Sequence, residues 1–190
     1  MPNRQTTTHV QMTGSDNSSG AQPVAEQPIS PPRIEIYTDG SSIGNPGPGG
    51  YGGVLVRKDH NGTIIKQVEF WGASPVITTN IRMEMTAALR GLQKIGAKNT
   101  EPITVFCDCN LIPNAMNEWL PGWKAKGWRK GKGGQVENRD LWEKIEAETE
   151  GRNVTWQWVR GHNGTDLNER ADRLAYRGAR KAERQGASLG

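Results

Sequence analysis

The chain reads as an α/β layered domain with a mixed sheet, and three observations carry that reading. Three strand patterns open the folded part in succession, helical apolar periodicity follows, and two further short strands alternate with helices, giving the order βββαβααβα. Sheets of this kind gather their sites at strand ends and adjacent helix termini.

Arg33-Ile-Glu-Ile-Tyr-Thr-Asp39 alternates toward a strand, and Gly40 to Gly50 forms a turn-rich loop. A second strand is predicted over Tyr51 to Arg57. Asn61-Gly62 then marks a hairpin into a third over Thr63 to Gly72, so the first three strands run antiparallel in sequence. From about Asn80 to Gly96, Met83, Ala87, Leu92 and Ile95 recur with Ala88 and Leu89 at helical spacing, with Gly96 as the stop and Glu84 in the first turn.

Ile103 to Phe106 is a short buried strand that ends at Asp108. A helix is expected from about Asn110, where Pro113 is tolerated only in the first turn, and Pro121 opens the next short helix. Asn138 to Glu150 turns Leu141, Trp142 and Ile145 inward, Val154 to Val159 is a strand, and Arg160 to Gly164 is a loop. Thr165 to about Lys181 is the final helix, and its stripe of Leu167, Ala171, Leu174, Ala175 and Gly178 leaves Asp172 at the border of the buried face.

At 190 residues the length suits one domain of roughly 150 residues with appendages. Residues 1–32 are rich in Ser, Thr, Gln, Asn and Pro and read as a disordered tail; 33–181 form the domain, and 182–190 read as a flexible C-terminal tail. No apolar run approaches the ~18 residues of a membrane span, and no secretory or mitochondrial leader pattern is present, so a cytoplasmic location is expected. Cys107 and Cys109 flank Asp108 and are read as reduced thiols. A monomer is expected, because no long apolar face is left over.

The net charge is +4, and residues 33–190 carry 23 basic against 18 acidic residues. Trp119 to Val136 holds Lys124, Lys126, Arg129, Lys130 and Lys132 among Trp119, Trp123 and Trp128. Cations among aromatics suit a nucleic-acid surface, and equally a solvated helix anchored by its tryptophans.

Four carboxylates stand in unlike contexts: Asp39 and Asp108 at strand ends, Glu84 and Asp172 on helices. A carboxylate at the end of an apolar strand is costly to desolvate and takes a cation, a set of donors or a metal as partner. Singly each has a structural reading, namely a turn-capping Asp39, a Glu84 favoured by the helix dipole, or an Asp172 paired with Arg170 or Arg173. His162, between Gly161 and Gly164, is either a loop histidine without a role or a proton carrier.

In register, Tyr-Thr-Asp39-Gly-Ser, Gly44-Asn45-Pro46-Gly47-Pro48-Gly49-Gly50-Tyr51-Gly52, Thr79-Asn80-Ile-Arg82-Met83-Glu84, Trp156-Gln-Trp158-Val-Arg-Gly161-His162 and Asn168-Glu169-Arg170-Ala-Asp172 resemble ribonuclease H of type 1 over roughly residues 33 to 180. The resemblance implies an RNase H-like fold, a five-stranded mixed sheet with helices on both faces. It implies an endonuclease that cuts the RNA strand of RNA–DNA hybrids, leaving 3′-hydroxyl and 5′-phosphate ends. Asp39, Glu84, Asp108 and Asp172 would be the catalytic metal ligands for two Mg²⁺, with Mn²⁺ as an alternative ion, and His162 the mobile histidine. The segment from Trp119 to Lys132 is similar to the family's basic protrusion, which grips the hybrid.

Carboxylates are the right ligands for hard Mg²⁺, and soft thiols are not. Telling RNA from DNA requires close approach to the 2′-OH, a need that Gly40, Asn45, Asn80 and Asn110 fit, with Thr79 and Arg82 as further contact candidates. A turn-forming Asn45 and a salt-bridged Arg82 are equally consistent with the sequence. Four positions depart from the family pattern: Ile81, Cys109, Asn110 and Glu137 stand where Asn, Ser, Gln and a basic residue are common. A noncatalytic hybrid-binding module of the same fold is the alternative reading, and a DNA-directed nuclease is disfavoured by the Gly161-His162 loop and the basic segment.

Overall fold

The computed structural model describes residues 30–131, 133–161 and 166–186. The expectations for most of the N-terminal tail, for Lys132, for the loop at His162 and for residues 187–190 lie outside the described residues. β1 (Arg33–Ser42), β2 (Gly47–Lys58) and β3 (Ile64–Thr78) precede α1 (Asn80–Gln93) and β4 (Ile103–Cys107). Then follow α2 (Leu111–Asn114), a π-helical turn (Ala115–Trp119), α3 (Leu120–Ala125), α4 (Arg139–Thr149), β5 (Val154–Trp158) and α5 (Asp166–Arg184).

The sheet order is β3-β2-β1-β4-β5. β1 pairs antiparallel with β2 and parallel with β4, so the sheet is mixed, as expected. The alternation along β1 sorts its side chains between two cores. Ile34 and Ile36 join Met85, Leu89 and Leu92 of α1, whereas Tyr37 joins Val54, Val56 and Ala171 and Leu174 of α5. Helices therefore cover both faces.

The approach of α5 to the sheet depends on glycine. A Cβ at Gly50 would stand 2.1 Å from the Ala179 nitrogen, and one at Gly52 would stand 2.4 Å from that of Ala175. The helix lies almost on the backbone of β2, which carries Asp172 to the sheet end where Asp39 sits.

Several boundaries differ from expectation. β1 runs on to Ser42 and β2 already starts at Gly47, so the loop expected over Gly40 to Gly50 shrinks to residues 43–46, because the two strands keep pairing as far as Ser42↔Gly49. β3 continues past Gly72 to Thr78 through an irregularity between the pairs Gly50↔Ala73 and Pro48↔Ile77, which an edge strand tolerates around Pro75. Thr79 caps α1 by accepting the Arg82 N–H, which makes Glu84 the fifth helical residue rather than a first-turn residue. Instead of two separate helices, residues 111–125 form one helical run with a π-turn before Pro121. The wider turn accommodates a ring that lacks an N–H and would crowd an α-helical carbonyl. α5 runs on to Arg184, beyond the expected end near Lys181, because Ala182 is buried at 1 % exposure and extends its apolar stripe.

Candidate active site

The site forms where β4 ends beside β1 and α1 and α5 close over them. Asp39 lies in β1 one residue past its last pair with β4, Thr38↔Cys107, is paired across to Gly52, and is buried at 6 % exposure. The next residue brings in the second acid. A Cβ on Gly40 would stand 2.1 Å from the Glu84 nitrogen, so glycine here lets the strand end abut the backbone of α1. Glu84 is buried at 4 % exposure as a result.

Asp108 follows β4 directly and is half-buried; its carbonyl accepts the Trp158 indole N–H at 2.9 Å. One oxygen each from Asp39, Glu84 and Asp108 lies within 4.8 Å of the others. Asp172 stands outside that triangle but lines the same cleft of about 430 Å³, together with Gly40, Ser41, Asn80 and Cys109. No lysine or arginine is among these lining residues.

Electrostatics follow from that composition. Burial, then the charge of Asp108 and that of Asp172, push the Asp39 carboxyl up to about 7, against a hydrogen bond from Glu84 that opposes the rise. Burial pushes Glu84 up as well, followed by the charges of Asp39 and Asp108. Glu84 shares a hydrogen bond with Asp39, while its Oε2 is buried with no hydrogen-bond partner. An orphaned carboxylate oxygen facing two further acids, with oxygen donors throughout, fits a hard divalent cation. Asp39, Glu84 and Asp108 are the residues that could hold one, with Asp172 at the margin.

The other expected residues divide. Asn80 lines the cleft, and its N–H is held by the Asn45 side chain at 3.2 Å, so Asn45 fixes the start of α1. Thr79 is the cap of that helix, and Arg82 forks onto Asp140 at 2.8 and 3.0 Å while also donating to Asn138. These three have structural partners. Asn110 is exposed beside the cleft and caps nothing with its side chain. Gly161 packs so close to Asp108 that a Cβ would meet its Oδ2 at 3.0 Å, and His162 lies just beyond the described residues.

The basic segment splits too. Trp119 is 38 % exposed, and Trp123 is tilted between it and Trp142 at 5.8 and 5.7 Å. Trp128, expected as a substrate contact, is instead buried at 6 %, lies under the Arg139 guanidinium and joins the core, which corrects that expectation. Lys124 pairs with Glu146 and Lys130 with Glu137, whereas Lys126 and Arg129 are exposed. Between this segment and the cleft runs a groove of about 530 Å³ lined by Ile81, Cys109, Leu111, Trp119 and Val136.

Sequence reasoning missed the groove-lining Leu111 and Val136 and the cleft residue Ser41, whereas Ile81, already marked as a departure from the family pattern, lines the groove. Only Ser41, two residues past Asp39, carried a positional signal. Both cysteines are free, Cys107 buried against Thr38 and Cys109 at the cleft.

Residues 31–180 match the family model for RNase H. The chain belongs to the RNase H family. It is 43% identical over 152 residues to a ribonuclease H of Stutzerimonas stutzeri, covering 80% of this chain and 95% of that one. Among solved structures, LC9-RNase H1, a type 1 RNase H with the type 2 active-site motif, superposes with a TM-score of 0.70 at 31% identity, covering 81% of this chain and 75% of that one. LC11-RNase H1, solved in complex with an RNA/DNA hybrid, gives 0.56 at 26% identity over 80% of this chain and 99% of that one. Members of this RNase H family are metal-dependent endoribonucleases, and the acid cluster of this chain has the composition that such chemistry needs.

Proposed function

We propose that this chain hydrolyses the RNA strand of RNA–DNA hybrids, leaving 3′-hydroxyl and 5′-phosphate ends, with Asp39, Glu84, Asp108 and Asp172 as ligands for two Mg²⁺. The observation that carries the reading is the triangle of Asp39, Glu84 and Asp108 within 4.8 Å, with an unpartnered buried oxygen and no cation among the lining residues. Bound divalent ions would supply an activated water, neutralise charge on the phosphate and stabilise the leaving oxygen.

The residues themselves do the positioning. Glu84, anchored on α1 against Gly40, and Asp39, anchored on β1, fix the inner wall; Asp108 and Asp172 line the open side. His162 would accept or relay a proton, and its sequence neighbour Gly161 lies against Asp108. Gly40, Asn80 and Asn110 offer a small, amide-bearing surface to a ribose 2′-OH. Trp119, Trp123, Lys126 and Arg129 would hold the opposite strand across the groove, with Lys124 and Lys130 contributing after release from their glutamates. The relative solved with an RNA/DNA hybrid supports this substrate class.

The test is cleavage of a duplex labelled on its RNA strand, comparing RNA–DNA, RNA–RNA and DNA–DNA duplexes with Mg²⁺ or EDTA, for wild type and Asp108→Asn. Cleavage of the hybrid alone, lost with EDTA and with the substitution, is the expected result. Tight hybrid binding without any cutting would identify a recruitment module instead.

A further inference from the structure

α5 carries a second cationic surface that the cleft does not use. From Arg173 to Arg184 the helix has five cations, Arg173, Arg177, Arg180, Lys181 and Arg184, and one acid, Glu183. All five cations are exposed. Arg170, Arg173, Arg177, Lys181 and Arg184 recur at intervals of three and four, which places them along one face.

That face has fixed company. Arg170 forks onto Glu69 of β3 at 2.7 and 3.0 Å, and the charges of Arg173 and Arg177 also reach Glu69. The Arg177 guanidinium lies 4.4 Å and the Lys181 ammonium 5.6 Å from the centre of the Trp71 ring. Side chains so held lose less freedom when they bind an anion than free ones do. At about 1.5 Å rise per residue the stripe from Arg170 to Arg184 is roughly 21 Å long, close to six base-pair steps of a duplex axis.

Its position relates it to the cleft. Asp172 lines the cleft, Arg173 is its neighbour, and Tyr176, 54 % exposed, stands one turn further on ahead of Arg180. An exposed aromatic among cations suits a nucleic-acid backbone and its bases. The basic segment near Trp123 packs on the α4 side of the sheet, whereas α5 covers the other face. The two cationic surfaces therefore flank the carboxylates from opposite sides.

We propose that the α5 stripe binds the phosphate backbone of the nucleic acid that extends beyond the cleaved segment. This rests on the reading of the cleft as a hybrid-cutting site, but the surface can be measured without catalysis. The probe is a DNA duplex of about 24 base pairs, titrated by fluorescence anisotropy across a range of salt, with wild-type chain and with the fourfold variant Arg173→Gln, Arg180→Gln, Lys181→Gln, Arg184→Gln.

The fourfold variant should bind at least tenfold more weakly at low salt, and its slope of log affinity against log salt should fall by about 3. Its kcat on a hybrid of about ten base pairs should equal that of wild type. Glu183→Gln, which removes the lone acid, should bind tighter than wild type and guards against a folding artefact in the fourfold variant. Unchanged affinity and slope in both variants would overturn the proposal. Absence of hybrid cleavage by the wild type would overturn the reading of the cleft and leave the duplex-binding result standing.

Discussion

Glu35 and Asp39 lie on the same strand, point to the same face and are equally buried at 6 % exposure, yet their surroundings drive them in opposite directions. Burial alone would raise Glu35, but Lys58 at 2.7 Å, the Tyr37 hydroxyl at 3.0 Å and Arg33 at 3.1 Å outweigh it and hold the carboxyl below its ordinary value. Asp39 is equally little exposed and has no cation partner among the described residues; burial, then the charges of Asp108 and Asp172, push it up to about 7. One end of β1 is completed by the chain itself; the other is left for a cation from outside. A buried charge is tolerable only with partners, so an incomplete carboxylate set marks function where a complete one marks structure.

The largest effect should come from breaking the incomplete end. Asp108→Asn removes an oxygen ligand of the triangle, and kcat on a hybrid should fall by about a thousandfold or more in a steady-state assay. The fold should be preserved in the same sample by circular dichroism.

Stability should separate the two ends with opposite signs. Glu35→Ala strips the partners of Lys58 and Tyr37 and should lower unfolding free energy by about 1–3 kcal/mol in denaturant titration. Asp39→Asn relieves repulsion and should raise stability at pH 7 in EDTA while abolishing cleavage. A loss of stability in Asp39→Asn would mean that its carboxylate is satisfied after all.

The pH dependence sharpens the contrast. Between the ordinary carboxylate value near 4 and about 7, the folded chain holds an Asp39 proton that the unfolded chain has shed, so this group makes stability fall as pH rises through that window. Glu35 does the reverse: its contribution is present above its ordinary value and lost as pH falls through the lowered one. Thermal melts in EDTA should decline from pH 5 to 7, and Mg²⁺ should restore the loss at pH 7 and have little effect at pH 5.

The smallest effects belong to the basic segment. Lys126→Ala with Arg129→Ala should raise KM severalfold, flatten its salt dependence and spare kcat. Lys124→Ala with Lys130→Ala should do less, since Glu146 and Glu137 already share those charges.

Much of this contrast was legible in the chain. Glu84 between Met83 and Met85 and Asp108 between Cys107 and Cys109 stand out as acids in apolar company, and Asp39 stands out by ending the apolar alternation of its strand. Glu35 does not stand out, because an acid within an alternating strand reads as solvent-facing until α5 is known to cover that side. Trp128 differs from expectation for a similar reason: composition shows cations among tryptophans, but only packing tells which rings turn inward. The π-turn before Pro121 and the length of α5 depended on tertiary contacts that local pattern does not carry.

The measurement that tests the central claim most directly is a calorimetric titration of Mg²⁺ into the chain at pH 7, for wild type, Asp39→Asn and Glu84→Gln. Binding by the wild type with release of protons, lost in both variants, is the predicted result. Binding that survives both substitutions, or none in the wild type, would contradict the assignment of the Asp39, Glu84 and Asp108 cluster as the metal site.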